Sequence, residues 1–205
     1  MTKKISDILN FLNILYPNVG CELNYSKDYE LAIAVMLSAQ TTDASVNRVT
    51  PILFSKYKSV EELAKAEPQE IENIIHTLGL SHNKSINVSL FSEKLFNEFN
   101  SILPRDKDIL ITFPGIGNKS AGVIRAEVFK IPDLPVDTHI LRISNRLGLT
   151  ESQNPDVVEK DLKNQINEDL WIKTHHQFIH FGRYYCTAKN PHCEDCQLKK
   201  YCKNK

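Results

Sequence analysis

At 205 residues, 41% of them apolar, the chain has material for one domain or two small ones. No apolar run approaches the length of a membrane span, and Met-Thr-Lys-Lys-Ile-Ser-Asp at the N-terminus has no apolar signal region. A cytoplasmic protein with reduced cysteines and no membrane partner is therefore expected. Its 25 basic residues balance its 25 acidic ones, so bulk charge alone does not attract a polyanion. The distribution is uneven, however. Residues 173–205 hold seven basic side chains (Lys173, Arg183, Lys189, Lys199, Lys200, Lys203, Lys205) against two acids, whereas 151–172 hold six acids against two lysines. Attraction to nucleic acid follows the field at the contact face, not the sum. Lys203 and Lys205 read as a solvated tail.

Nearly every segment reads as helix. Strict alternation is scarce, and turn signals recur about every 10 to 18 residues. Ser6 or Asp7 caps a first helix to about Tyr16, ended by Pro17 and Gly20. Cys21 reads as a small buried residue. Asp28 to Ser38 is apolar on almost every side and belongs in a core. Gln40-Thr41-Thr42-Asp43 is a polar turn whose Thr42 or Asp43 caps a helix to about Tyr57. Ser59 opens a short helix to Ala66 with capping-box spacing to Glu62, and Pro68 opens another ending near Gly79. Leu80 to Lys84 reads as a polar turn with one exposed leucine, ahead of a long helix to about Phe99. Ile131 to Val136, with two prolines, is extended. Thr138 to Leu147 is helical and stops at Gly148, Asn154-Pro155 starts a helix to about Ile166, and a last helix from about Ile172 to Tyr185 delivers Cys186.

Two stretches carry chemistry. Asp106 to Thr112 is a short apolar helix, Pro114, Gly115 and Gly117 break it, and Lys119 to Phe129 resumes the helical pattern. Two glycines one residue apart let the backbone approach a bulky anion, and the second helix offers it unpaired N–H groups and a positive dipole end. Lys119 sits in the first turn of that helix, where a positive charge is disfavoured. It reads as an amine nucleophile able to form a Schiff base, or as a phosphate-binding cation. The second stretch is Cys186, Cys193, Cys196 and Cys202, spaced C-x6-C-x2-C-x5-C. Four thiolates in a short polar tail suit a tetrahedral zinc or a cubane iron–sulfur cluster. His175, His176 and His180 lack the glutamate of an H-E-x-x-H zinc site and read as packing residues.

The hairpin with Lys119, Val-Asp-Thr-His at 136–139, Leu-Ser-Ala-Gln-Thr-Thr-Asp at 37–43 and the cysteine spacing together resemble the endonuclease III family. That family comprises DNA repair glycosylases and abasic-site lyases of the helix-hairpin-helix superfamily. The similarity runs from about Leu9 to Cys202. It implies an all-α protein of two helical domains around a DNA-binding groove. One domain is 21–131, with the helix-hairpin-helix at 105–129; the other is 1–20 plus 132–205 and bears a [4Fe-4S] cluster on the four cysteines. The implied activity is removal of oxidised pyrimidines from damaged double-stranded DNA, followed by nicking through β-elimination, by a DNA-associated monomer.

The same resemblance assigns roles. Lys119 is the nucleophile and Asp137 the catalytic carboxylate, although Asp137 also reads as an N-cap. Gln40 bonds the orphaned base and Leu80 wedges the stack once the target nucleotide is flipped out. Gly115, Gly117, Asn118, Arg183 and Lys189 are DNA-contact candidates, with His192 beside the cysteines. Asn118 stands where relatives often carry a basic residue, Gly122 where they carry asparagine, and Ser81-His82 where they carry tyrosine-asparagine. The competing readings are an adenine or thymine mismatch glycosylase of the same superfamily and a non-enzymatic DNA-binding module with structural zinc. Adenine glycosylases carry a glutamate where Ala34 stands.

Overall fold

The computed structural model describes residues 1–203, so Lys205 lies outside the described residues. Among these, every regular element is helical. The main helices are α1 Lys3–Leu15, α2 Asp28–Leu37, α3 Asp43–Lys56, α4 Val60–Ala64, α5 Pro68–Ile75, α6 Ser81–Phe99, α7 Lys107–Ile111, α8 Asn118–Val128, α9 Thr138–Arg146, α10 Pro155–Gln165 and α11 Trp171–His180. No helix is long and apolar enough to cross a membrane among the described residues. The chain divides into two compact units, Glu22–Phe129 and the combination of Met1–Cys21 with the chain from Lys130 onward.

In the first unit α2 is the central element. Tyr29 through Leu37 are all buried, as its unbroken apolar run demands. Each fully buried leucine or isoleucine there contributes about 1.5–3 kcal/mol, enough to hold α3, α6 and α8, which pack against it. Ala34 is fully buried in this helix. In the second unit Ile5, Ile8 and Leu12 of α1 pack into one core with Ile140, Ile143, Leu162, Phe178 and Phe181.

Local chemistry set most helix starts. Thr42 accepts from Ser45 N, Ser59 from Glu62 N and Asn154 from Asp156 N and Val157 N, each satisfying orphan donors of a first turn. Several boundaries differ from the sequence reading. Thr2, not Ser6 or Asp7, caps α1, accepting from Ile5 N, because burial of Ile5 draws the helix one turn earlier. α5 ends at Ile75 rather than near Gly79. α6 starts directly after Leu80, so Ser81 to Lys84 are helical rather than a turn. The last helix changes character at Phe181: Phe181–Tyr185 is π-helical, closed by Cys186 N donating to Phe181 O. Cys21 is half-buried, not buried. Lys203 is no free tail, because its amine pairs with Glu151 at 3.0 Å and its N–H donates to Arg146 O at 2.7 Å.

Candidate functional site

The hairpin is built by caps and packing. Asp106 caps α7, accepting from Asp108 N and Ile109 N at 2.9 and 3.1 Å. Phe113 and Ile116 turn inward, and Phe113 packs between Phe91 and Phe99 with ring centroids 5.3 and 5.2 Å away. Lys94 of α6 donates to Thr112 O and Oγ1, fixing the end of α7. The two glycines then serve different ends. Gly115 has φ +78°, and a Cβ there would lie 2.6 Å from Met36 Sδ. It is glycine for conformation and for close packing. Gly117 has an extended backbone, and a Cβ on it would meet nothing within 4 Å. Its lack of a side chain leaves open the space before α8.

Gly117 is also the N-cap of α8 and supplies no side-chain acceptor. The first turn of α8 therefore receives no hydrogen bond from its N-cap side chain, and it lies at the positive end of the helix dipole. Asn118 and Lys119 occupy this first turn, both exposed. Gly122 is buried against the core side of the same helix.

Asp137 is the N-cap of α9, with Oδ1 accepting from Ile140 N at 2.8 Å. The cap takes one carboxylate oxygen and leaves the other for further work. The extended run before it is pinned: Leu134, Pro135 and Val136 are buried, Asp133 pairs with Lys163 at 2.5 Å, and His175 Nδ1 meets Pro135 O at 2.9 Å. His175 and His176 are accordingly buried packing groups. Next to Asp137, His139 is half-buried. Burial lowers its pKa, and the Arg142 and Arg183 guanidinia push the same way against Asp137.

Gln40 and Leu80 lie on separate turns of the Glu22–Phe129 unit, both exposed and both left-handed, at φ 54° and 62°. Neither is the Gly or Asn that favours this region, so the strain is held by the surrounding structure. The sequence carried no signal of it.

Cys186, Cys193, Cys196 and Cys202 line a single cavity of about 210 Å³, walled also by Arg146, Phe181, Tyr185 and Leu198. Burial raises the Cys196 thiol pKa, and the other three cysteines raise it further. Thiolates gathered this way need cationic metal between them. No three His, Cys, Asp or Glu side chains close on a single ion among the described residues. Four thiol side chains around one cavity suit a cubane cluster. Arginines from α9 hold the loop. Arg142 donates to Gly182 O and Cys186 O, and Arg146 donates to Cys186 Sγ at 3.3 Å, Thr187 O at 2.7 Å and Ala188 O at 3.0 Å. Sequence reasoning missed this pair, although arginines four apart on one helix share a face. Arg183 is half-buried in the π-helical turn, and Lys189 and His192 are exposed in the loop.

Residues 33–168 match the model for HhH-GPD superfamily base excision DNA repair proteins, and residues 186–202 match the iron-sulfur binding domain of endonuclease III. Endonuclease III of Bacillus subtilis (strain 168) is 40% identical over 202 residues, which cover 98% of this chain and 92% of that protein. A non-covalent endonuclease III–DNA complex superposes with TM-score 0.94 at 39% identity, covering 99% of this chain and 96% of that one. A trapped endonuclease III–DNA covalent intermediate, an estranged-adenine complex, gives 0.92 at 39% identity and covers 99% and 97%.

Proposed function

The chain belongs to the endonuclease III family of HhH-GPD base excision DNA repair proteins, and from that membership we propose how its own residues divide the work. It is a bifunctional DNA glycosylase and abasic-site lyase that carries a [4Fe-4S] cluster. We assign Lys119 as the nucleophile, Asp137 as its carboxylate partner in the chemistry, and Cys186, Cys193, Cys196 and Cys202 as the cluster ligands. Damaged duplex DNA is the substrate, with oxidised pyrimidines as the lesion class. The protein acts as a cytoplasmic monomer, and the two compact units are its two domains.

One observation carries the reading: an exposed lysine amine in the uncapped first turn of α8, beside the open space at Gly117. A phosphate bound at the positive N-terminal end of that turn would bring the neighbouring sugar to the amine. The Lys119 amine attacks C1′, the C1′–N bond breaks, and the base leaves with its electron pair and takes up a proton. The amine then gives up a proton, the C1′–O4′ bond breaks with O4′ protonated, and the opened sugar is held as a C1′=N Schiff base. The resulting Schiff base acidifies the C2′ proton; its loss and cleavage of the C3′–O bond release the 3′ phosphate. Asp137, whose second oxygen the helix cap does not use, stabilises positive charge on the sugar and accepts the lysine proton. Gln40 and Leu80 fill the space left by the flipped nucleotide, while Gly115, Gly117, Asn118, Arg183 and Lys189 hold the backbone. The cluster, when bound, supplies a rigid frame for the loop bearing Lys189.

The test is borohydride trapping on duplex DNA containing thymine glycol, with Lys119→Ala alongside. A covalent adduct in the wild type and none in the variant is expected. Base release without trapping would mean a monofunctional glycosylase that uses water.

A further inference from the structure

Lys84 is a lysine out of place. It is 4% exposed, in the first turn of α6, and faces no carboxylate. Its amine donates instead to the neutral Thr41 Oγ1, at 2.7 Å. Burial of the ammonium lowers its pKa. Removing a cation from water is costly unless it is well paired, and a surface lysine would avoid the cost altogether.

The position of the two partners gives that cost a reason. Thr41 directly follows Gln40, and Lys84 N donates to Leu80 O at 3.0 Å. Lys84 is thus bonded by its main chain to the leucine and by its side chain to the neighbour of the glutamine. Thr41 is fixed in turn: its N–H donates to Ser38 O at 3.0 Å and its hydroxyl to Ala39 O at 3.3 Å. The hydroxyl therefore gives its one hydrogen to Ala39 O and receives one bond from Lys84, which fixes its rotamer. Both turns hold a left-handed non-glycine residue, at φ 54° for Gln40 and 62° for Leu80, a conformation that persists only when its surroundings enforce it.

We propose that Lys84 is a positioning residue that latches the Gln40 turn to the Leu80 turn through Thr41, so that both side chains enter duplex DNA as one preset pair. This rests on the reading of Gln40 and Leu80 as duplex-inserting residues. The contact lies wholly within the Glu22–Phe129 unit. Insertion matters only where a partner strand must be filled, so the latch should act on duplex substrates and not on single strands.

The experiment uses the cluster-bearing protein and four single variants: Lys84→Met, Thr41→Val, Gln40→Ala and Leu80→Ala. Each is measured in single turnover for base release from a thymine glycol duplex and for nicking of a single-stranded abasic-site oligonucleotide. A 2-aminopurine opposite the lesion reports how far the orphaned base is displaced. Lys84→Met and Thr41→Val should each slow duplex base release about tenfold and reduce the 2-aminopurine signal, with single-strand nicking within about twofold of wild type. The double variant should be no slower than either single one, because both remove the same contact. Lys84→Arg, which keeps a donor, should recover part of the loss. Equal losses on duplex and single strand, or additive losses in the double variant, would overturn the latch. Thr41→Val carries the test if Lys84→Met fails to fold. If Gln40→Ala and Leu80→Ala slow duplex release while the latch variants do not, the latch alone is wrong. If none of the four slows it, the insertion reading falls and the latch with it.

Discussion

The hairpin at 106–128 and the cysteine loop at 186–202 are both offered as backbone surfaces for DNA, yet they are supported in opposite ways. Leu110, Phe113, Ile116, Ala121 and Ile124 anchor the hairpin in an apolar core. In the loop Leu198 alone is buried, and its backbone hydrogen bonds are mostly short-range turns, such as Lys199 N to Cys196 O and Tyr201 N to Leu198 O. Apolar burial, at about 25 cal/mol per Å², holds the hairpin without help. The loop has little to bury, so its shape leans on its metal, on two arginines of α9 and on Asp7, which accepts from Lys200 and Tyr201. A surface segment can therefore be held by core packing or by coordination, and the two should fail differently.

The largest contrast should come from the metal. Cys202→Ser, or oxidative loss of the cluster, should abolish hydrogen-exchange protection across 186–202 and leave the amides of 118–128 protected. Protection lost equally in both would contradict the division. The glycines sharpen it next. Gly115→Ala forces a side chain into a left-handed backbone and against Met36, and should cost about 2–4 kcal/mol in denaturant unfolding. Gly117→Ala should cost no more than about 1 kcal/mol, yet weaken duplex binding by closing the space before α8. Arg146→Met leaves Thr187 O and Ala188 O without their donor and should cost about 1–3 kcal/mol, read as faster cluster loss under chelator. Smallest is Asp7. Hydrogen bonds from Lys200 and then Tyr201 hold its carboxyl below the ordinary range. A carboxyl lowered in the folded state adds stability above its unfolded value and loses it as pH falls through the folded one. The wild type should therefore melt slightly above Asp7→Asn at neutral pH, and the gap should close below about pH 4.

Much of this was legible in the linear chain because it is local. The Asn154-Pro155 start, the Thr42 and Ser59 caps, the buried run of α2 and the cysteine spacing each depend on residues within a turn or two of one another. Helical periodicity and capping chemistry act at that range, so the all-helical class and the chemistry-bearing hairpin could be read directly. Asp137 showed both of its readings at once, cap and carboxylate, and the structure fills the first with one oxygen.

What escaped depends on partners far along the chain. Ser81 to Lys84 looked like a turn because they are polar, but α6 begins at once, and Lys84 is buried against Thr41, 43 positions away. Lys203 looked free until Glu151 and Arg146 O came to it. Gly115 and Gly117 looked alike until Met36 stood beside one and nothing beside the other. Arg142 and Arg146 drew no reading from the sequence, and only the folded cysteine loop shows what they bond. By itself the sequence determined the helices, their caps and the types of reactive group. Only the tertiary structure decided which charges are buried, which backbone is strained and which side chain holds which loop, because those follow from contacts whose sequence separation carries no local signal.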